Sequence, residues 1–212
     1  MVAAEKRSTV ICAAAIGAAI GSRLLAAFDN PANLSWKHIP LQDGGKTIIG
    51  AILGGWIAVE VAKRYTGIET RTGDLLVMPL LSGTIVGRIG CFLAGTADET
   101  FGRATNLPWS IDFGDGVARH PLQLYEIGFL IAYYLFVESK DHPHFVNGDR
   151  FRVYVFSYFG LRFALEFLKD SSRFFSLDVL QWAALAGMLW CVPTLFSIAQ
   201  RVRAGAPIQR LA

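Results

Sequence analysis

Charge is what this chain has least of. Asp, Glu, Lys and Arg make up 17% of its 212 residues, against about 25% in an ordinary soluble domain. Too few polar side chains remain to cover a globular surface, which argues against a soluble enzyme. The apolar share of 53% and the mean hydropathy of +0.40 exclude disorder, which needs low hydrophobicity and high net charge. Neither sign of charge dominates. The formal net charge is +3, so no basic field for nucleic acid is expected. Cysteine is scarce too. Cys12, Cys91 and Cys191 each sit in an apolar run without CxxC or metal-ligand spacing, so neither a disulfide framework nor a metal centre is expected. They read as small buried hydrophobes. No repeat, low-complexity stretch or flexible linker interrupts the chain, and a single membrane domain over 1–212 is the simplest parse.

What the chain does have is long apolar runs, at 10–28, 47–62, 74–95, 121–137, 151–168 and 177–199. Each approaches the ~20 residues that cross a bilayer as a helix. The expected fold is therefore all-α: a polytopic membrane bundle of about six transmembrane helices, with an outer-face loop over 96–120. The alternative for the first run is a cleaved signal peptide with Lys6 and Arg7 as its basic head; Arg23 near its far end disfavours this. Glycines recur at four-residue spacing, Gly17 and Gly21, Gly50 and Gly54, Gly83 and Gly87, a pattern that lets helices approach closely in lipid.

Orientation follows from the basic residues of the short loops. With the N-terminus inside, the inner loops hold Lys6, Arg7, Lys63, Arg64, Arg71, Lys140, Arg150, Arg152, Arg201, Arg203 and Arg210, and the outer ones Lys37, Lys46, Arg103, Arg119, Lys169 and Arg173. Eleven against six favours cytoplasmic termini and an outward loop 96–120.

Ionisable residues inside a span are costly and usually mark a site. Here they share one depth. Arg88 and Arg162 each lie about 10 Å, at 1.5 Å per residue, below the outer ends of the third and fifth runs. Glu126 lies five residues into the fourth run, Glu166 one turn beyond Arg162, and Arg23 near the outer end of the first. Tyr158, Arg162 and Glu166 share a helix face. Three arginines against two glutamates suit a phosphate anion, which the guanidinium fork binds through two oxygens. The competing reading is a structural network, Arg162 with Glu166 and Arg88 with Glu126. In the outer loop, Trp109 is a natural interface anchor, Gly114-Asp115-Gly116 a turn, and His120 either a proton acceptor or a capping group. Asp98, Glu99, Asp112 and Asp115 fit no ion-binding spacing and read as solvated.

Several strings taken together resemble one family. Gly87-Arg88-Ile89-Gly90-Cys91-Phe92, Phe101-Gly102-Arg103, Leu107-Pro108-Trp109 and Arg119-His120-Pro121-Leu122-Gln123-Leu124-Tyr125-Glu126 resemble signature stretches of bacterial prolipoprotein diacylglyceryl transferases. Asp43-Gly44-Gly45, Tyr158-Phe159-Gly160-Leu161-Arg162 and Glu166-Phe167 extend the match. The resemblance implies a multi-pass enzyme of the bacterial inner membrane with an outward-facing site and no cofactor. Such an enzyme moves the diacylglyceryl group of phosphatidylglycerol onto the lipobox cysteine of a prolipoprotein, and glycerol phosphate leaves. It implies essential arginines at Arg88 and Arg162. Substrate-binding positions fall at Gly102, Arg103, Gln123, Tyr125, Glu126, Tyr158 and Glu166 beside them, with His120 as a catalytic candidate.

The sequence also departs from the family. Its His-Gly-Gly, whose histidine is a candidate base, reads Ile49-Gly50-Ala51 here. Its Gly-Asn-Phe reads Gly90-Cys91-Phe92, and its Asn-Gly-Glu reads Ala94-Gly95-Thr96 with about three extra residues before Gly102. The family's first span, with its tyrosine, is expected to be missing, as in a divergent member shortened at its N-terminus. Three readings follow: a diacylglyceryl transferase with His120 or water as base, a relative using another acceptor (with Cys91 as a candidate nucleophile), or a non-catalytic protein that binds anionic phospholipid or serves as a membrane scaffold.

Overall fold

The computed structural model describes residues 4–29, 45–68, 70–98, 100–138, 142–169 and 177–204, with side chains from residue 8 onward. Asp43, Gly44, Glu99, Lys37, Lys140, Arg173 and Arg210, and the side chains of Lys6 and Arg7, lie outside the described residues.

Each apolar run forms one helix: α1 (Ala4–Asp29), α2 (Ile48–Thr66), α3 (Asp74–Ala94), α4 (Leu122–Tyr133), α5 (Asp149–Glu166) and α6 (Val179–Arg203). A 3-10 turn, Gly95–Ala97, follows α3, and α4 runs on into a π-helical turn, Tyr134–Glu138. Among the described residues, three helices are long and apolar enough to cross a membrane: Ser8–Asp29, Asp74–Ala97 and Val179–Arg203. The other three fall short for visible reasons. α2 carries Glu60, Lys63 and Arg64 within 19 residues. α5 carries Asp149, Arg150, Arg152, Arg162 and Glu166 within 18, and α4 has 12 residues before its helical hydrogen-bond pattern changes.

The chain divides into two compact units, Met1–Thr70 with Arg173–Gly187, and Arg71–Ser172 with Met188–Ala212. In the first, α1 and α2 meet backbone to backbone. A Cβ added at Gly21 would stand 2.4 Å from the Gly50 carbonyl oxygen, and one at Gly54 would stand 2.3 Å from that of Gly17. The four-residue glycine spacing on both helices is thus used for close approach. Thr47 caps α2, its hydroxyl accepting from Gly50 N at 3.2 Å, and its own backbone N–H donates to Ser22 Oγ at 3.1 Å on α1. Gly67, at φ 65°, closes the other end of α2, and Ile68 folds back onto Val10 and Val59. Gly83 and Gly87 behave differently: a Cβ on either would meet nothing within 4 Å among the described residues.

In the second unit, α3 and α5 are tied at their first turns. Asp74 Oδ1 accepts from Phe151 N at 3.0 Å and Oδ2 from Gly148 N at 2.6 Å. Asp149, 1% exposed, is held by Arg201 and accepts from Val146 N at 3.0 Å. From that common origin, 13 to 14 residues of helix at 1.5 Å each carry both chains ~20 Å to Arg88 and Arg162, which is why the two arginines arrive at one level. The segment after α3 forms a small hairpin. β1 (Ile111–Asp112) pairs antiparallel with β2 (Ala118–Arg119), and Ala104 bridges to Arg119. Asp112 Oδ1 organises the turn, accepting backbone N–H groups from Gly114, Asp115 and Gly116 at 2.8, 3.1 and 3.0 Å.

Candidate active site

Glu126 is the centre of the second unit. Its side chain is 1% exposed, so an ionised carboxylate there needs partners. Two other helices, α3 and α5, supply them. Arg88 on α3 donates Nε–H to Oε2 at 2.7 Å, Tyr158 on α5 donates its hydroxyl to the same oxygen at 3.0 Å, and Arg162 on α5 donates from Nη1 to Oε1. Arg162 also donates from Nη2 to Glu166 Oε2 at 3.2 Å, one turn on, and Lys169 Nζ stands 3.5 Å from Glu166 Oε1. Tyr158 stacks flat on Tyr154, 5.9 Å between centroids, which fixes its ring.

Arg88, Glu126, Tyr158, Arg162 and Glu166 are therefore in one cluster, and both ion pairs of the structural reading are present, joined through Glu126. The two arginines are not equivalent. Arg162 gives both terminal nitrogens to carboxylates, and its Nε has no partner among the described residues. Arg88 gives Nε alone, and its Nη1 faces Cys91 Sγ at 4.0 Å. The outer fork of Arg88 is thus the side that has no carboxylate among the described residues. Arg88, Arg162 and Lys169 against Glu126 and Glu166 leave one positive charge. Lys169 is the cation the sequence reasoning placed only in a loop, while Arg23 belongs to the other unit.

The residues of the His-Pro-x-Gln-Leu-Tyr-Glu string form a second layer. His120 is 8% exposed, with Nδ1 3.2 Å from Tyr125 Oη, and that hydroxyl accepts from Trp109 Nε1 at 2.8 Å. Trp109, read as a membrane anchor, is half of this contact. Gly102 N donates to His120 O at 2.9 Å, His120 N to Arg103 O at 3.2 Å, and Arg103 N to Leu168 O at 2.7 Å. Gly102 has to be glycine: a Cβ there would lie 2.8 Å from His120 Cβ and 2.9 Å from Leu168 O. Gly102 and Arg103 thus act through their backbones, seaming the loop to α4 and to the end of α5. Gln123 is fully buried, donating Nε2–H to Thr100 Oγ1 at 3.0 Å, while its Oε1 has no partner among the described residues.

Two acidic residues of the loop are not merely solvated. Asp98 is half-buried and accepts from the Thr100 hydroxyl. Asp115 pairs with Arg119 at 2.6 Å, and this guanidinium holds its carboxyl below the usual carboxylate range. Arg119 also lies over the Phe101 ring, 4.7 Å from its centroid, and Phe101 stacks on Phe113. No group of three His, Cys, Asp or Glu side chains among the described residues is arranged to hold a metal ion.

The profile of the family described as prolipoprotein diacylglyceryl transferase matches residues 2–197. The chain belongs to that family. Among its relatives, a phosphatidylglycerol–prolipoprotein diacylglyceryl transferase of Cupriavidus necator is 31% identical over 167 residues, covering 73% of this chain and 57% of the relative. Proteins of the same name from Bordetella avium and Campylobacter jejuni are 30% and 34% identical, each over 68% of this chain and over 58% and 52% of their own lengths. The chain thus spans a little over half the length of these relatives. The buried cluster built on Glu126 is, in this member of the family, assembled entirely from residues 88–169.

Proposed function

We propose that this chain transfers the diacylglyceryl group of phosphatidylglycerol to the lipobox cysteine thiol of a prolipoprotein, at the periplasmic face of a bacterial inner membrane. In this reading it is a single membrane domain that crosses six times with cytoplasmic termini, and the loop carrying Trp109 and His120 faces outward. The observation that carries the reading is the unequal use of the two arginines. Glu126 holds Arg88 by Nε and leaves its fork for an anion, while Arg162 and Tyr158 hold Glu126.

The chemistry follows from that arrangement. The acceptor thiol attacks the glycerol carbon that bears the phosphate ester. Negative charge grows on the departing glycerol phosphate. A guanidinium already in place meets that charge without reorganising, and loss of one such donor costs about 10²–10³ in kcat. The buried Arg162 Nε is a second donor without a partner on the same cluster.

The experiment is incubation of the purified chain with phosphatidylglycerol and a lipobox peptide, followed by mass spectrometry of the peptide. A diacylglyceryl increment that disappears in Arg88→Lys supports the reading, because lysine lacks the bidentate fork. Equal product from Arg88→Lys removes Arg88 from the site. The second reading, a lipid-derived group passed to a different acceptor, is favoured by Ile49: a buried, 2% exposed aliphatic side chain at the family's histidine position offers no proton acceptor.

A further inference from the structure

A neutral imidazole has one donor nitrogen and one acceptor nitrogen, and the partner of one nitrogen decides the state of the other. For His120 that partner is a directed line of side chains. Trp109 Nε1 stands 2.8 Å from Tyr125 Oη, and Tyr125 Oη stands 3.2 Å from His120 Nδ1. An indole N–H can only donate, so Tyr125 Oη accepts from Trp109. The phenol hydrogen then needs an acceptor, and His120 Nδ1 is the one the described residues offer. Nδ1 therefore carries no proton, and in the neutral ring the proton sits on Nε2. The reverse arrangement, with Nδ1–H donating, would bring two donors to Tyr125 Oη and leave its own hydrogen without an acceptor among the described residues.

Neither ring nitrogen then has a lone pair free to take a proton. The Nδ1 lone pair is engaged by Tyr125, and Nε2 is already protonated. Nε2–H is instead a donor, and no acceptor faces it among the described residues. The backbone fixes where this donor stands. Gly102 N donates to His120 O at 2.9 Å, and Arg103 N donates to Leu168 O at 2.7 Å. A Cβ on Gly102 would lie 2.8 Å from His120 Cβ and 2.9 Å from Leu168 O, so the root of the imidazole and the Leu168 carbonyl flank one glycine. Leu168 lies two residues past Glu166, which pairs with Arg162. His120 is thus held against the end of α5 that carries the Glu126 cluster.

Resting on the transferase reading above, we infer that Trp109 and Tyr125 are positioning residues that hold His120 in its Nε2–H form, and that His120 is a hydrogen-bond donor to an oxygen of the phospholipid headgroup, not the base of the transfer. Arg88 meets the phosphate with charge, and His120 adds a neutral, directed N–H. No bond to the imidazole carbon or nitrogen atoms forms or breaks in this role.

The first measurement needs no turnover. The full chain, with isotopically labelled histidine, is followed by nitrogen NMR in detergent at about pH 8, where an ordinary imidazole of pKa about 6.5 is neutral. His120 should show a bare, acceptor-type Nδ1 and a protonated Nε2, and His120→Gln tells its signals from those of the other histidines. Tyr125→Phe removes the donor and should let both tautomers appear, and Trp109→Phe should move the Nδ1 signal the same way by less. A proton on Nδ1 in the unaltered chain, or His120 signals unmoved in Tyr125→Phe, overturns the tautomer assignment. The second measurement compares His120→Ala with His120→Gln in transfer from phosphatidylglycerol micelles to a lipobox peptide. Glutamine can place an N–H near the Nε2 position but has no basic nitrogen. Loss of a donor of this kind costs about 10²–10³ in kcat, and glutamine should restore at least about tenfold of what alanine loses. Equal losses in the two variants overturn the donor role. No product from the unaltered chain overturns the transferase reading instead, and the NMR result still decides the tautomer.

Discussion

Replacing Glu126 by glutamine tests the central cluster most directly. Glutamine keeps the shape of glutamate but supplies one acceptor oxygen in place of two and sets an amide N–H against a guanidinium. Three donors from α3 and α5 converge on the carboxylate: Arg88 Nε, Tyr158 Oη and Arg162 Nη1. With its charge gone, two buried guanidiniums lose their common counter-ion. Breaking a buried pair by removing one partner costs about 3–5 kcal/mol. A chain of this size loses roughly 2–4 °C of Tm per kcal/mol, so Glu126→Gln should melt roughly 6–20 °C below the unaltered protein. The assay is thermal unfolding in detergent, followed by the loss of the monodisperse peak. A double-mutant cycle with Arg88→Ala and Glu126→Ala should show coupling of about 0.5–3 kcal/mol, as groups in contact do. A Tm within about 2 °C of the unaltered chain, or additivity within about 0.5 kcal/mol, would refute the claim that Glu126 joins the helices through these contacts.

Two further outcomes are expected. Gly102→Ala should destabilise the loop seam, since its Cβ would sit 2.8 Å from His120 Cβ, and overpacking of this kind costs about 1–3 kcal/mol; a lower Tm and faster trypsin cleavage at Arg103 would register it, and unchanged cleavage would count against it. Asp115 should titrate below the ordinary Asp value of about 3.9 when its carboxyl carbon is followed by NMR. Because its folded pKa is depressed by Arg119, any stabilisation it gives is present above the ordinary carboxylate range and lost as pH falls. Arg119→Ala should return the midpoint to the ordinary value, and added salt should weaken the shift.

The sequence was most readable where hydropathy sets structure. The run 47–62 became α2 (Ile48–Thr66) and the run 151–168 became α5 (Asp149–Glu166), because a long apolar stretch ended by Thr47 or Gly67 leaves few alternatives. Arg88, Glu126, Arg162 and Glu166 were legible through shared depth, which counts residues from a helix end. What depth does not supply is rotation about each helix axis. It could pair Arg88 with Glu126 but not show that Arg162 reaches the same carboxylate. It gave Gly83-x-x-x-Gly87 the same meaning as Gly50-x-x-x-Gly54, yet only the second pair meets a partner backbone. Asp98 was misread as solvated because its partner Thr100 lies beyond the turn that ends α3, and the path of that turn is set by tertiary contacts. Lys169 was overlooked because a lysine just past a helix end looks like a topology signal.

The carboxylate shared by Arg88 and Arg162 also governs which movements the second unit can make. A hinge needs two bodies that part along a cheap surface. Here α3 and α5 are pinned to each other at their first turns through Asp74 and again, at the level of Glu126, through a residue of α4. Separating the three helices at that level would strand charges in a low-dielectric interior. On the proposed function, a two-tailed lipid and a peptide acceptor would have to come and go without prying them open. Whatever gives way in such a reaction would lie outside the pinned frame, and the fork of Arg88 would keep one geometry throughout.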